Sequence, residues 1–172
     1  IGIDGSQRHI DRGNQITKTL GLKNISLLCQ DLLQFDHSIG HFDYIICHGV
    51  FSWVPDKVQH KLLNIIKQNL QSNGLAYVSY NTLPGWRMGN ILRDMMRYHS
   101  NKMTSTHRKI EQAQAMVQFV ANNLADPNSA YGKYITSRSK YITSAPEDYI
   151  FHEYLERDNK AFYFYEFNEM LT

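Results

Sequence analysis

The chain has little cysteine, little net charge and no long apolar run, and each shortage removes a class of protein. Cys29 and Cys47 are the only cysteines in 172 residues. They form no CxxC pair and both fall in strand-like segments, so they read as small buried hydrophobes of a reducing compartment rather than a disulfide framework. A formal net charge of +2 is too small to mark a nucleic-acid binder. No apolar run approaches the ~20 residues of a membrane helix, and no signal peptide is visible, so the expected location is the cytoplasm. His37 and His41 stand four apart, but Ser38-Ile39-Gly40 between them makes a poor helix and no third ligand is evident. They read as loop histidines, and no metal site is expected.

What is present describes a globular chain. Apolar residues make up 42% and aromatics 12%, enough for one domain with a real core and a small appendage. The chain opens on Ile1 and closes inside the aromatic segment Phe162–Leu171, which reads as a fragment of a longer protein.

The first hundred residues alternate strand and helix signals, as in a layered α/β sheet. Ile1–Asp4 reads as a strand. Ser6 caps a helix over Gln7–Leu20 that turns Ile10, Ile16 and Leu20 inward and stops at Gly21. Ile25–Cys29 is a second strand, and Leu32–Gly40 a loop or short helix. Phe42–Cys47 is a third strand, whose unbroken run Tyr44-Ile45-Ile46-Cys47 predicts cover on both faces. Pro55 and Asp56 open a helix with Val58, Leu62, Ile65, Ile66 and Leu70 at the helical period. Asn73-Gly74 closes it before a fourth strand, Leu75–Tyr80.

From Trp86 onward the signals are helical. Met88, Ile91, Leu92, Met95, Met96 and His99 form one stripe, and Ile110, Ala113, Val117, Val120, Ala121 and Leu124 another. Met116 falls on the same helical spacing. Asp126-Pro127-Asn128 breaks the second helix. The echo KYITS at Lys133–Ser137 and Lys140–Ser144 reads as chance or as one tyrosine-bearing helix face. Arg87, Arg93, Arg97 and Arg108 give this part a basic side, a solvated face by default. The change of pattern puts a boundary near Ser100–Ser105.

Three strand ends carry ligand-type residues. Asp4 ends the first strand before a helix, where a carboxylate either accepts bonds from ribose hydroxyls or caps the turn. Asp31, in Cys29-Gln30-Asp31-Leu32, either meets an exocyclic amine of adenine with Leu32 against the ring, or is a solvated loop residue. His48-Gly49 ends the third strand, and the glycine permits close backbone approach. In open α/β sheets these carboxyl ends are where ligands lie. Asp4 could equally serve the ribose of a nicotinamide cofactor, although Asp31 and the segment HGVFSWVP add nothing to that alternative.

The order strand-Asp-Gly-Ser, then strand-x-Asp-Leu, then FDYIIxHGVFSWVP resembles class I S-adenosylmethionine-dependent methyltransferases. The segment Val78–Ser100, VSYNTLPGWRMGNILRDMMRYHS, is similar to the bacterial branch that carries a methyltransferase regulatory domain. Tyr149–Glu156 followed by Phe162-Tyr163-Phe164 resembles the start of that regulatory region. The resemblance implies an α/β, Rossmann-like methyltransferase sheet, incomplete because the first strand and its glycine-rich loop would precede Ile1, followed by a helical segment. Residues 1–103 would be the partial core and 104–172 the start of a regulatory or substrate region. The missing strand would lie between Ile1–Asp4 and Phe42–Cys47, leaving each with an unpaired edge.

The same resemblance implies S-adenosyl-L-methionine as cofactor, held by Asp4, Gly5, Ser6, Asp31, Leu32, His48, Gly49 and Val50. His48, Trp53, Tyr80 and Asn81 would line the methyl-acceptor side, with packing between sheet and helix the alternative reading of the two aromatics. Some members of the branch methylate protein lysines, so a protein or peptide acceptor is expected of the full-length parent, with this fragment alone weak or inactive. Nucleic acid and a membrane span are not expected, and open sheet edges imply self-association. The competing reading is a non-catalytic methyltransferase-like interaction module.

Overall fold

The computed structural model describes residues 1–35 and 37–171, with only the backbone of His37. Contacts divide the chain into two compact units. One is Ile1–Tyr80 with the terminal segment from Tyr165, and the other is Asn81–Phe164. The boundary expected near Ser100–Ser105 falls inside the second unit.

The first unit holds two parallel strand pairs, each closed by a helix. β1 (Gly2–Asp4) runs through α1 (Gln7–Thr19) to β2 (Leu27–Cys29), with Asp4 opposite Cys29. β3 (Phe42–Cys47) runs through α2 (Asp56–Asn69) to β4 (Leu70–Val78). Ser6 is the N-cap of α1, its side chain accepting from the His9 N–H. Gly21, at φ +67°, takes the left-handed turn that stops the helix. β1 and β3 are not bonded to each other, so each keeps one unpaired edge.

Four expectations need correction. β4 begins at Leu70, directly after α2, with an irregularity in register between Phe42↔Leu70 and Tyr44↔Leu75. Asn73-Gly74 therefore lies within the strand. The irregular stretch can hug β3 because Gly74 lacks a Cβ, which would approach the Asp43 carbonyl oxygen to 3.0 Å.

The run in β3 is not covered on both faces. Tyr44 and Ile46 are 71% and 73% exposed, and their β4 partners Leu75 and Tyr77 are exposed beside them. A pleated strand sends alternate side chains to opposite faces, and α2 covers only one. Cys47, on the opposite face of β3 from Tyr44 and Ile46, is buried, whereas Cys29 at the end of β2 is exposed. In α1 only Ile10 is buried, with Ile16 and Leu20 exposed, because three-residue strands cover little more than the first turns of a thirteen-residue helix.

The second unit is built on helices α3 (Arg87–Ser100), α4 (Thr106–Asn122) and α5 (Ala130–Ser144). After these come a short α6 (Glu147–Ile150), a wide turn over Phe151–Leu155, and a two-residue pairing of β5 (Asn81–Thr82) with β6 (Ala161–Phe162). Leu92, Met96, Ile110, Ala113, Val117, Ile135, Ile142, Ile150 and Tyr154 form its core. The KYITS echo resolves here. Its two copies place Ile135 and Ile142 two turns apart on α5, both fully buried, while Tyr141 remains exposed. The repeated face is therefore an isoleucine face rather than a tyrosine one. The last helix of the described residues, α7 (Phe164–Glu169), belongs from Tyr165 onward to the first unit, where Phe167 lies edge-on to Phe51 at 5.3 Å between ring centres.

Ile135→Ala should cost about 2–5 kcal/mol, the range for truncating a fully buried isoleucine. Chemical denaturation of the variant beside the parent chain measures it.

Candidate functional site

The strand ends of the first unit bring several expected residues together. A trough of about 660 Å3 runs along β1 from Ile1 to Gly5 and along β3 from Tyr44 to His48. Asp4, Gly5, Leu32, His48 and Val50 line it, with Leu62, Ile65 and Ile66 of α2 closing its apolar side. Ser6, Asp31, Gly49 and Trp53 belong to the same loops but do not line the trough.

Each loop is held by identifiable bonds. Oδ1 of Asp4 accepts from the Ser6 N–H at 2.7 Å, and Oδ2 stands 3.3 Å from Nδ1 of His9. The carboxylate is nonetheless 45% exposed. Asp4 therefore performs the turn role and keeps surface open to a ligand. Asp31 behaves likewise, capping the short helix Leu32–Gln34 by accepting from the Leu33 N–H at 2.9 Å. The Gln30 N–H donates to the Asp4 carbonyl at 3.0 Å, which sets the two acids at the carboxyl ends of adjacent parallel strands.

The loop after β3 is fixed from both sides. Gly49 adopts φ +68° and donates its N–H to Oγ of Ser79 at 2.7 Å, while the Ser79 N–H donates to the Cys47 carbonyl at 3.0 Å. Gln59, fully buried on α2, donates Nε2 to the carbonyls of Phe51 and Val54 at 2.9 and 3.1 Å. Sequence reasoning missed Gln59 and Ser79. A polar residue at an inward helical position next to Val58 and Leu62 was the available signal. The exposed His48 lies beside Tyr77, with ring centres 5.7 Å apart. Burial pushes the Cys47 thiol up, which keeps it protonated and inert beside the loop.

The expected acceptor-side residues divide. Trp53 is half-buried in the short helix Phe51–Trp53. Tyr80 stacks on Phe167 at 4.2 Å with rings 22° apart, so packing between elements accounts for one of its faces. Asn81 lies in the second unit, where its Nδ2 donates to Oδ1 of Asn159 at 3.0 Å. Among the described residues, no group of three or more His, Cys, Asp or Glu could hold a metal. The side chain of His37 lies outside them. No helix among the described residues is long and apolar enough to cross a membrane.

Residues 1–153 match the family described as "Methyltransferase domain", and residues 146–172 match the "Predicted methyltransferase regulatory domain". The chain belongs to the methyltransferase domain family, and the nicotinamide alternative falls away. Among curated proteins it is 41% identical to RP789 and 38% identical to RP028, both uncharacterized proteins of Rickettsia prowazekii. The alignments take in 97% and 98% of this chain, but 30% and 68% of the relatives. Among solved structures, PKMT2 from Rickettsia typhi superimposes with TM-score 0.81 at 38% identity, over 99% of this chain and 32% of that one. The structure of PKMT2 in complex with AdoHcy gives 0.82, over 99% and 33%. The chain thus spans about a third of RP789 and of PKMT2.

Gln59→Ala should loosen the Gly49–Pro55 loop and cost about 1–3 kcal/mol, because two carbonyls lose their donor. Hydrogen exchange of the loop amides, beside a denaturation curve, reports both effects.

Proposed function

We propose that the full-length protein transfers a methyl group from S-adenosylmethionine to a lysine side chain of a protein substrate. The observation that carries this reading is the shared trough: Asp4, Leu32, His48 and Val50 converge on one cavity at strand carboxyl ends. The lysine acceptor is supported by the neighbour PKMT2, whose name denotes a protein lysine methyltransferase and whose complex contains AdoHcy.

The residues present suit such a cofactor. Asp4 offers carboxylate surface to ribose hydroxyls, with Gly5 and Ser6 completing the turn that holds it. Leu32 offers an apolar side for adenine, and Asp31 an acceptor for its exocyclic amine. His48, Gly49 and Val50 form the loop assigned to the methionine end. When bound, S-adenosylmethionine supplies an electrophilic methyl carbon on a sulfonium sulfur. The protein's part is to align the acceptor amine for in-line attack and to keep it deprotonated, through orientation and desolvation. His48 is the candidate to take the proton. Trp53 and Tyr80 are candidates to wall the ammonium-bearing side chain through cation–π contact.

Calorimetry of the full-length protein with S-adenosylhomocysteine tests the cofactor assignment. Binding is expected, and Asp4→Ala should weaken it by about 1–3 kcal/mol, the scale of leaving buried polar partners unsatisfied. Unchanged affinity removes Asp4 from the site. Absence of binding by the full-length protein favours the non-catalytic interaction module. Mass spectrometry of lysine-containing protein incubated with S-adenosylmethionine then tests the acceptor.

A further inference from the structure

A second cavity, of about 220 Å3, lies wholly within the unit Asn81–Phe164. The rings of Trp86, Tyr134 and Tyr154 form its walls, and Arg93, Arg138 and Glu153 contribute its charged groups. Gly89 on α3 also lines it, with open space where a Cβ would stand.

The arginine expected on a solvated face is the unusual group. Arg93 is only 4% exposed. Its Nη2 donates to the carbonyls of Glu156 and Arg157, while Nη1 is buried with no hydrogen-bond partner. Arg138 donates to the Tyr154 hydroxyl at 2.6 Å, and neither arginine forms an ion pair with a described carboxylate. Burial, and after it the neighbouring Arg97, push Arg93 down to about 10, which leaves it charged at neutral pH. Burial pushes Glu153 up, while the nearby charges of His152, Arg138 and Arg93 pull it down. The lining sets two arginines against one glutamate, and Nη1 of Arg93 is left without a partner where burying a polar group unpaired is costly.

We infer that this cavity binds a small carboxylate carried on an aromatic or flat apolar body, with Arg93 and Arg138 taking the charge and the rings of Trp86 and Tyr134 taking the body. A guanidinium fork matches the two oxygens of a carboxylate and can stack on flat groups. The volume is below the roughly 300 Å3 at which ordinary ligand pockets begin, which limits the body to about one ring. Glu153 and Tyr154 come from the stretch that matches the regulatory family, and Arg93 from α3 before it. An occupant would touch both.

Titration calorimetry of the full-length protein with sodium benzoate tests the site. Inorganic phosphate serves as a charge without a body, and benzylamine as a body of opposite charge. Saturable benzoate binding is expected, at least tenfold tighter than either control, and at least tenfold weaker in Arg93→Gln. Because Arg93 also ties down two carbonyls, Gly89→Leu supplies an independent variant: it fills the cavity from the helix and retains both arginines. Loss of benzoate binding in Gly89→Leu, with the circular dichroism spectrum and thermal midpoint of the parent, supports the site. Absence of saturable benzoate binding, equal affinity for benzylamine or phosphate, or undiminished affinity in Gly89→Leu overturns it.

Discussion

A parallel strand pair cannot be closed by a tight turn, and the first unit is arranged around that constraint. The chain must cross back after each strand, and α1 and α2 make the two crossings. Each crossing leaves from the carboxyl end of a strand, so the loops Gly5-Ser6, Gln30-Asp31, His48–Pro55 and Ser79-Tyr80 collect at corresponding ends of their pairs. Chemistry-bearing residues gather there because backbone is free of the ladder at those points, whereas within the strands it is committed. The cross-link from Gly49 to Ser79, two residues that are remote in sequence, expresses the same geometry: β3 and β4 end together, and a side chain from one loop secures the other.

Double use of the acids follows. A carboxylate at a strand end is the nearest acceptor for the first N–H groups of the next turn, and Asp4 and Asp31 both serve that way. The turn role and a ligand role are not exclusive, since an ionised carboxylate has about four lone-pair sites and the turn uses only some of them. Tethering is also what pre-organises such a group for a ligand.

What could be read from the residues was what depends on near neighbours in sequence. The cap at Ser6, the stop at Gly21, the bounds of β3 and the breaker at Asp126-Pro127 are all decided within a few residues, and the structure has them where those residues require. The reading erred where burial depends on what packs from afar. Cys29, Ile16, Tyr44 and Ile46 are apolar positions with no element laid over them among the described residues, and no local period encodes that. Arg93 erred in the opposite direction, because its burial is set by the Phe151–Arg157 stretch, more than fifty residues further on. Gln59 was invisible for a related reason: its two acceptors are loop carbonyls, which have no signature in the sequence. The trough itself was legible as a set of strand ends, and Leu32, His48 and Val50 reach it, although the apolar wall from α2 was not foreseen.

The seven-residue spacing of Ile135 and Ile142 has an evolutionary corollary. Both side chains face inward only because the interval between them is close to two full helical turns. Deleting one residue between them would swing the second isoleucine by about 100° around the axis, out of the interior and toward water. This stretch of α5 can therefore drift in composition at its outward positions, yet its length is locked, and gaps in alignments of its relatives should avoid the interval.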